Sequence, residues 1–209
     1  LVREKNFVLM DSGKRIDQNE IHLPGLQLNE RKLEEKLIKE QPNSYLAQNA
    51  SYRIPKNKAE LVQSLADDAE ITMILTIEGA HALGTDKAEN IEVISSRVKE
   101  IKENWEVPIF FLTFAHHFDN RLCGHAHSIP GAGKALMNQK KHMNEGFRRD
   151  GKRILRELLG LNRNLKRDPS LGYRILIDVK HMAAKSRMDF YSWVRICLKK
   201  GDRIPVIAS

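Results

Sequence analysis

The chain has 209 residues, 41% of them hydrophobic and 30% charged, with a formal net charge of +8. That mixture, free of low-complexity tracts, argues against a disordered or fibrous protein, and the length suits one domain of ~100–200 residues or two small ones. No stretch approaches the ~18–20 uninterrupted apolar residues of a membrane-spanning helix, and the first residues lack a basic-then-apolar layout, so no membrane span is expected.

Cys123 and Cys197 lie far apart without C-x-x-C spacing, which indicates neither a disulfide framework nor a thiolate zinc site and fits a reducing, cytoplasmic compartment. Lys and Arg total 35 against 27 Asp and Glu, which raises the question of a nucleic-acid partner. Basic residues cluster at Lys140 and Lys141, Arg148 and Arg149, Lys152 and Arg153, and 163–167. Acids are interleaved elsewhere and only 6% of residues are aromatic, so a solvated basic face is the better reading.

Taken in chain order, residues 1–57 are the less regular part. Residues 7–10 read as a strand, 29–39 as a mostly charged helix and 41–54 as a loop. From residue 58 onward, strand-like and helix-like segments alternate. Residues 71–77 form a short β-branched run, apolar on both faces, as a parallel strand covered by helices should be. In 90–105, Ile91, Ile94, Val98, Ile101 and Trp105 make the stripe of an amphipathic helix. The next strand is 107–114. After a polar loop, 145–161 carries Phe147, Ile154, Leu155, Leu158 and Leu159 at helical spacing, and this unit closes at Gly160. Residues 174–179 are a third strand. Ser186 with Asp189 three residues on resembles a capping box that opens a helix bearing Met188, Tyr191, Val194, Cys197 and Leu198. Residues 205–208 would be a fourth strand. There is no internal repeat and no clear linker, and strict alternation implies a parallel sheet, either doubly wound or closed as a β/α barrel. Because the chain opens on Leu1 and closes on an apolar run, 204–209, it is expected to be a segment of a longer protein.

Catalytic groups of parallel β/α folds collect at the carboxyl ends of strands, where the loops converge. The first such end reads Glu78-Gly79-Ala80-His81, the second Ala115-His116-His117-Phe118-Asp119, and the third Asp178-Val179-Lys180-His181. Each presents a carboxylate or an imidazole. A single histidine on an apolar strand is more often a hydrogen-bonded core residue than a ligand, but three such ends on one rim point to a shared site. Glu and His without thiolates suit zinc or another divalent ion that activates water.

These residues resemble the renal or membrane dipeptidases, a branch of the metal-dependent amidohydrolases with a β/α barrel. The run from Ile74 through Glu78, Gly79 and Ala80 to His81 is similar to that family's strand followed by Glu-Gly-Gly-His, whose Glu bridges two metal ions. The run from Phe111 to His116 resembles the strand whose terminal His contacts substrate or tetrahedral intermediate. The run from Ile175 to His181 resembles the strand ending in a metal-binding His. Pro205, Val206, Ile207, Ala208 and Ser209 resemble the strand before Ser-His-Ser, which would place the next metal-binding His just past residue 209.

The resemblance covers roughly 50–209 and implies a (β/α)8 barrel of the TIM type whose middle strands lie in this chain. It implies a metallo-dipeptidase with two Zn2+ ions, Glu78 and His181 as metal ligands, His116 as catalytic donor, and a small peptide-like substrate. A homo-oligomer is compatible with it. Ala80 stands in place of a Gly, and Ala115 and Lys180 in place of small hydroxyl residues. The family's N-terminal His-x-Asp has no counterpart, since Leu23 and Pro24 follow His22. The rival reading is a non-catalytic barrel relative that acts as a binding or interaction protein.

Other signals are weaker. The run Gly131-Ala132-Gly133-Lys134 lacks the first Gly of a phosphate loop, with Ser128 at that place, and Ala135 stands where Ser or Thr should bind magnesium. His125 and His127 have metal-site spacing but sit in a predicted loop, so a substrate-side or incidental role is expected. The roles of His81, His117 and Asp119 stay open, and Cys123 is read as structural.

Overall fold

The computed structural model describes residues 51–66, 70–85, 90–105, 107–128 and 139–209. The readings of 7–10 and 29–39, His22 and the glycine-rich run 131–134 lie outside these residues. In chain order, β1 (Ser51–Arg53) precedes α1 (Lys58–Leu65), β2 (Glu70–Thr72) and β3 (Thr76–Ile77). A 3-10 turn (Ala80–Leu83) leads to α2 (Ile91–Asn104), β4 (Phe111–Thr113) and α3 (Arg149–Leu159). A second 3-10 turn (Pro169–Leu171), β5 (Leu176–Asp178) and α4 (Ala184–Lys199) follow.

Among the described residues, all strand pairs are parallel and follow chain order. β1 pairs with β2, while β3, β4 and β5 form a three-stranded sheet in that order. The register row Ile77, Leu112 and Ile177 is buried, in one core with Ile94, Val98 and Ile101 of α2 and Ile154, Leu155, Leu158 and Leu159 of α3. These helical residues recur every three or four positions, so each helix turns one apolar stripe to the sheet. Full burial of each such side chain is worth ~1.5–3 kcal/mol relative to exposure. Neighbouring register rows project to the opposite face, where Thr76, Phe111 and Leu176 are half-buried.

The helix boundaries have local causes. The Asn90 side chain caps α2 by accepting from Glu92 N at 3.1 Å. Gly160 ends α3 in the left-handed conformation with φ 63°, and its N–H closes back on the Arg156 and Glu157 carbonyls.

Several expectations need correction. The run 71–77 is not one strand: its start pairs with β1 and its end with β4, and 73–75 switch partners through Met73 N to Arg53 O and Phe110 N to Leu75 O, both 2.9 Å. The expected loop 41–54 ends in β1. The strand 107–114 is regular only over Phe111–Thr113, and the helix expected over 145–161 begins at Arg149. Phe147 still joins the core, its ring 5.3 Å from that of Phe114, but from the irregular segment ahead of the helix. The fourth strand is reduced to one parallel bridge between Ile207 and Asp178.

The capping box fails for a tertiary reason. α4 starts at Ala184, the buried Ser186 hydroxyl donates toward Gly124 O at 2.9 Å and Glu145 O at 2.8 Å, and the Asp189 carboxylate accepts from Phe147 N at 2.9 Å. Both side chains hold neighbouring loops rather than their own helix end.

Candidate metal centre

The polar chemistry gathers where β3, β4 and β5 end side by side. Thr113 and Asp178 are register partners, and Glu78 directly follows Ile77. Gly79 allows the chain to turn there. Its φ is +88°, and a Cβ on it would lie 2.3 Å from both Cε1 and Nδ1 of His81, so only glycine lets the His81 ring rest against this backbone.

β4 runs on into His116 and His117, 1% and 8% exposed. Asn120 fixes the following loop, donating to Phe114 O at 2.5 Å and accepting from Leu122 N at 3.0 Å. β5 runs on to His181, whose φ of +62° is uncommon for a residue with a side chain and costs ~1–2 kcal/mol. Surrounding bonds enforce it: Ala126 N donates to His181 O at 2.8 Å and Met182 N to Val179 O at 3.1 Å.

The structure brings all three predicted site residues together. Glu78 Oε1 lies 3.8 Å from His116 Nε2 and 3.8 Å from His181 Nε2. Lys180 Nζ is also 3.8 Å from that oxygen. His117, left open by the sequence, belongs to the same cluster, since ligand nitrogens of His116, His117 and His181 all lie within 4.8 Å of one another. Ring centroids are 4.3 Å apart for His116 and His117, 4.3 Å for His117 and His181, and 5.2 Å for His116 and His181. Ser128 Oγ holds His117 Nδ1 at 2.6 Å, an outer bond of the kind that fixes the rotation of a ligating imidazole.

The donor set fits a divalent ion. Ligand atoms around a tetrahedral zinc with ~2.0–2.1 Å bonds stand about 3.3–3.4 Å apart; the 3.8 Å contacts of Glu78 lie close to that spacing, and the histidine nitrogens, within 4.8 Å of one another, draw together when an ion binds. Glu78 Oε1 is buried and accepts no hydrogen bond among the described residues, while imidazoles and an ammonium surround it. A buried anionic oxygen in that position favours a cation.

Behind Glu78 runs a second polar group that the sequence reading did not assign. Thr113 Oγ1 lies 3.3 Å from Glu78 Oε2 and 3.0 Å from Asp178 Oδ2. Fully buried Asp178 also accepts from Lys180 N at 3.0 Å, Ser209 N at 3.2 Å and Ser209 Oγ at 2.8 Å. The available signal was an acid ending an apolar strand, which is costly unless hydrogen-bonded.

The remaining candidates take other places. His81 is buried beside the cluster, its ring 5.0 Å from that of His116 and 5.0 Å from that of Phe118. Asp119 ties loops together through Arg121 N at 2.8 Å and Lys141 Nζ at 3.0 Å. The pair His125 and His127 is split: His125 is buried with its nitrogens 3.2 Å from the carbonyls of Ala126 and Lys141, and His127 is exposed. Cys123 is buried, and burial pushes its thiol far up against a smaller opposing effect of the Ser186 hydroxyl, which keeps it protonated and unreactive at neutral pH. No helix among the described residues is long and apolar enough to cross a membrane. No protein-family model matches the chain, and no curated protein matches it.

Proposed function

We propose that this protein is a metal-dependent hydrolase of the membrane dipeptidase type, which cleaves the peptide or amide bond of dipeptides or similar small substrates. The observation that carries the proposal is the convergence of Glu78, His116, His117 and His181 at the carboxyl ends of three adjacent parallel strands. Strand order that follows chain order, continued by the bridge at Ile207, supports the β/α barrel that goes with this reading. The substrate class rests on the family resemblance.

In this proposal Glu78 and His181 would hold the divalent metal, and His117 is a further nitrogen within reach. A divalent ion held there supplies a Lewis acid and a water activated near neutral pH. His116, nearly devoid of solvent contact, donates a hydrogen bond to the substrate carbonyl oxygen as it gains charge, where loss of one donor typically costs ~10²–10³ in rate. Lys180 keeps a second reading alive. Its ammonium 3.8 Å from Glu78 Oε1 is a cation the chain itself provides, as a non-catalytic binding relative could use in place of a metal.

Metal content decides between the two. Elemental analysis of the full-length protein, with hydrolysis of a small dipeptide panel, is expected to show bound divalent metal and turnover. Glu78→Gln keeps size and polarity but removes the anionic oxygen, so bound metal should fall and hydrolysis collapse. A folded Glu78→Gln protein with unchanged metal stoichiometry would refute the ligand role.

A further inference from the structure

We infer that Thr113 and Asp178 are positioning residues that set the metal affinity of the centre by fixing the orientation of the Glu78 carboxylate. The inference rests on the metal-centre reading above and extends it behind the ligands.

The geometry runs in one direction. Asp178 is held by three donors besides Thr113, namely Lys180 N, Ser209 N and Ser209 Oγ at 3.0, 3.2 and 2.8 Å, so its carboxylate is fixed by β5 and by the neighbouring segment. Glu78 has no such support. Among the described residues, Thr113 Oγ1 at 3.3 Å makes the one hydrogen bond to its carboxylate, through Oε2, and Oε1 accepts none. Thr113 sits between the two, fully buried at the end of β4 and 3.0 Å from Asp178 Oδ2. One hydroxyl holds a single proton and can serve one carboxylate at a time. Asp178 keeps three other donors when that proton turns to Glu78, whereas Glu78 has no substitute hydrogen-bond donor among the described residues. With Asp178 held by its other donors, the hydroxyl proton is free for Glu78, where it pins Oε2 and leaves Oε1 turned to His116 and His181, each 3.8 Å away. Partners that orient a ligating carboxylate in this way typically change metal affinity ~10–100-fold when removed.

The test is Zn2+ affinity of the full-length protein, measured by competition with a chelator, with thermal melts as fold control. Thr113→Val keeps the shape and deletes the hydroxyl, and is expected to weaken Zn2+ binding about 10–100-fold. Thr113→Ser restores the hydroxyl and should bind within about threefold of wild type, a rescue that packing alone would not produce. Ser209→Ala removes one donor from Asp178 at an exposed residue and should weaken binding by a smaller factor, about two- to fivefold. A folded Thr113→Val protein with wild-type affinity, or a Thr113→Ser protein as weak as Thr113→Val, overturns the inference. If Thr113→Val does not fold, wild-type affinity in Ser209→Ala overturns it as well. Absence of Zn2+ binding in the wild type overturns the inference together with the metal centre. Tight binding that responds to Thr113 without dipeptide hydrolysis supports the inference and removes only the hydrolase reading.

Discussion

Gly79→Ala is the sharpest perturbation of the site that leaves every ligand in place. The backbone there has φ +88° and ψ 122°, a region that residues with a Cβ rarely enter, at a cost of ~1–3 kcal/mol. The new methyl would also lie 2.3 Å from two atoms of the His81 ring and 3.4 Å from His116 Cβ. The second contact is tolerable and the first is not, so the ring must move. His81 is 9% exposed and packed against the rings of His116 and Phe118, and forcing such a buried group aside costs ~1–3 kcal/mol. Together these give a loss of about 2–6 kcal/mol, a large share of the ~5–15 kcal/mol of a typical domain, and a melting temperature lower by roughly 5–20 °C for a chain of this size.

A double-mutant cycle separates the two contributions. In a His81→Ala background the ring is gone, so Gly79→Ala should cost only the backbone part, ~1–3 kcal/mol. The assay is thermal and denaturant unfolding of the four proteins, followed by Zn2+ titration of those that fold. An equal cost of Gly79→Ala in both backgrounds would show that the His81 ring does not crowd this glycine. A cost below ~0.5 kcal/mol in the native background would refute the backbone argument as well.

Two further outcomes follow from the charges of Lys180 and Lys102. Lys180→Met removes the ammonium near Glu78 Oε1, and since a half-exposed pair of this kind is worth ~0–1 kcal/mol, Zn2+ binding should tighten by up to about fivefold at low salt and less at high salt; weaker binding would refute the competition. Lys102 donates to Glu157 O at 2.5 Å and Leu171 O at 2.9 Å, and burial, aided by Arg167, holds its ammonium down to about 8. An unfolded lysine titrates near ~10.4, so between the two values the unfolded chain binds more protons and stability rises with pH. The melting temperature of wild type relative to Lys102→Met should therefore climb from about pH 7.5 to about pH 10, and a flat difference would contradict the burial of the charge.

What the sequence made legible depended on whether the cause was local. Ile94, Val98 and Ile101 recur at helical spacing because one face of α2 meets the sheet, and Asn90 caps its own helix, so both could be read from neighbours in the chain. Glu78, His116 and His181 stood out because charged or imidazole groups ended apolar runs. Partner choice left no such trace. Residues 71–77 stay uncharged and mostly apolar while the pairing passes from β1 to β4, and Ser186 and Asp189 carry a helix-start pattern while bonding to Gly124, Glu145 and Phe147. Thr113 was hidden for another reason: threonine suits a strand on its own account, and only the positions of Glu78 and Asp178 give its hydroxyl a role.

The same alternation builds the core and the site. Ile77, Leu112 and Ile177 form the register row that packs on α2 and α3; one residue further along, Glu78, Thr113 and Asp178 follow on the opposite face. A one-residue slip of any of these strands would exchange the two rows. It would put a carboxylate or hydroxyl against Ile101, Leu155 or Leu158 without a partner, and an aliphatic side chain where the histidines converge. Each misplaced polar group would cost ~1–3 kcal/mol or more in desolvation, so the packing that fixes the register of β3, β4 and β5 also brings Glu78 Oε1 within 3.8 Å of two imidazoles. The site needs no precision beyond that of the core, because its residues occupy the next step of the same pleat.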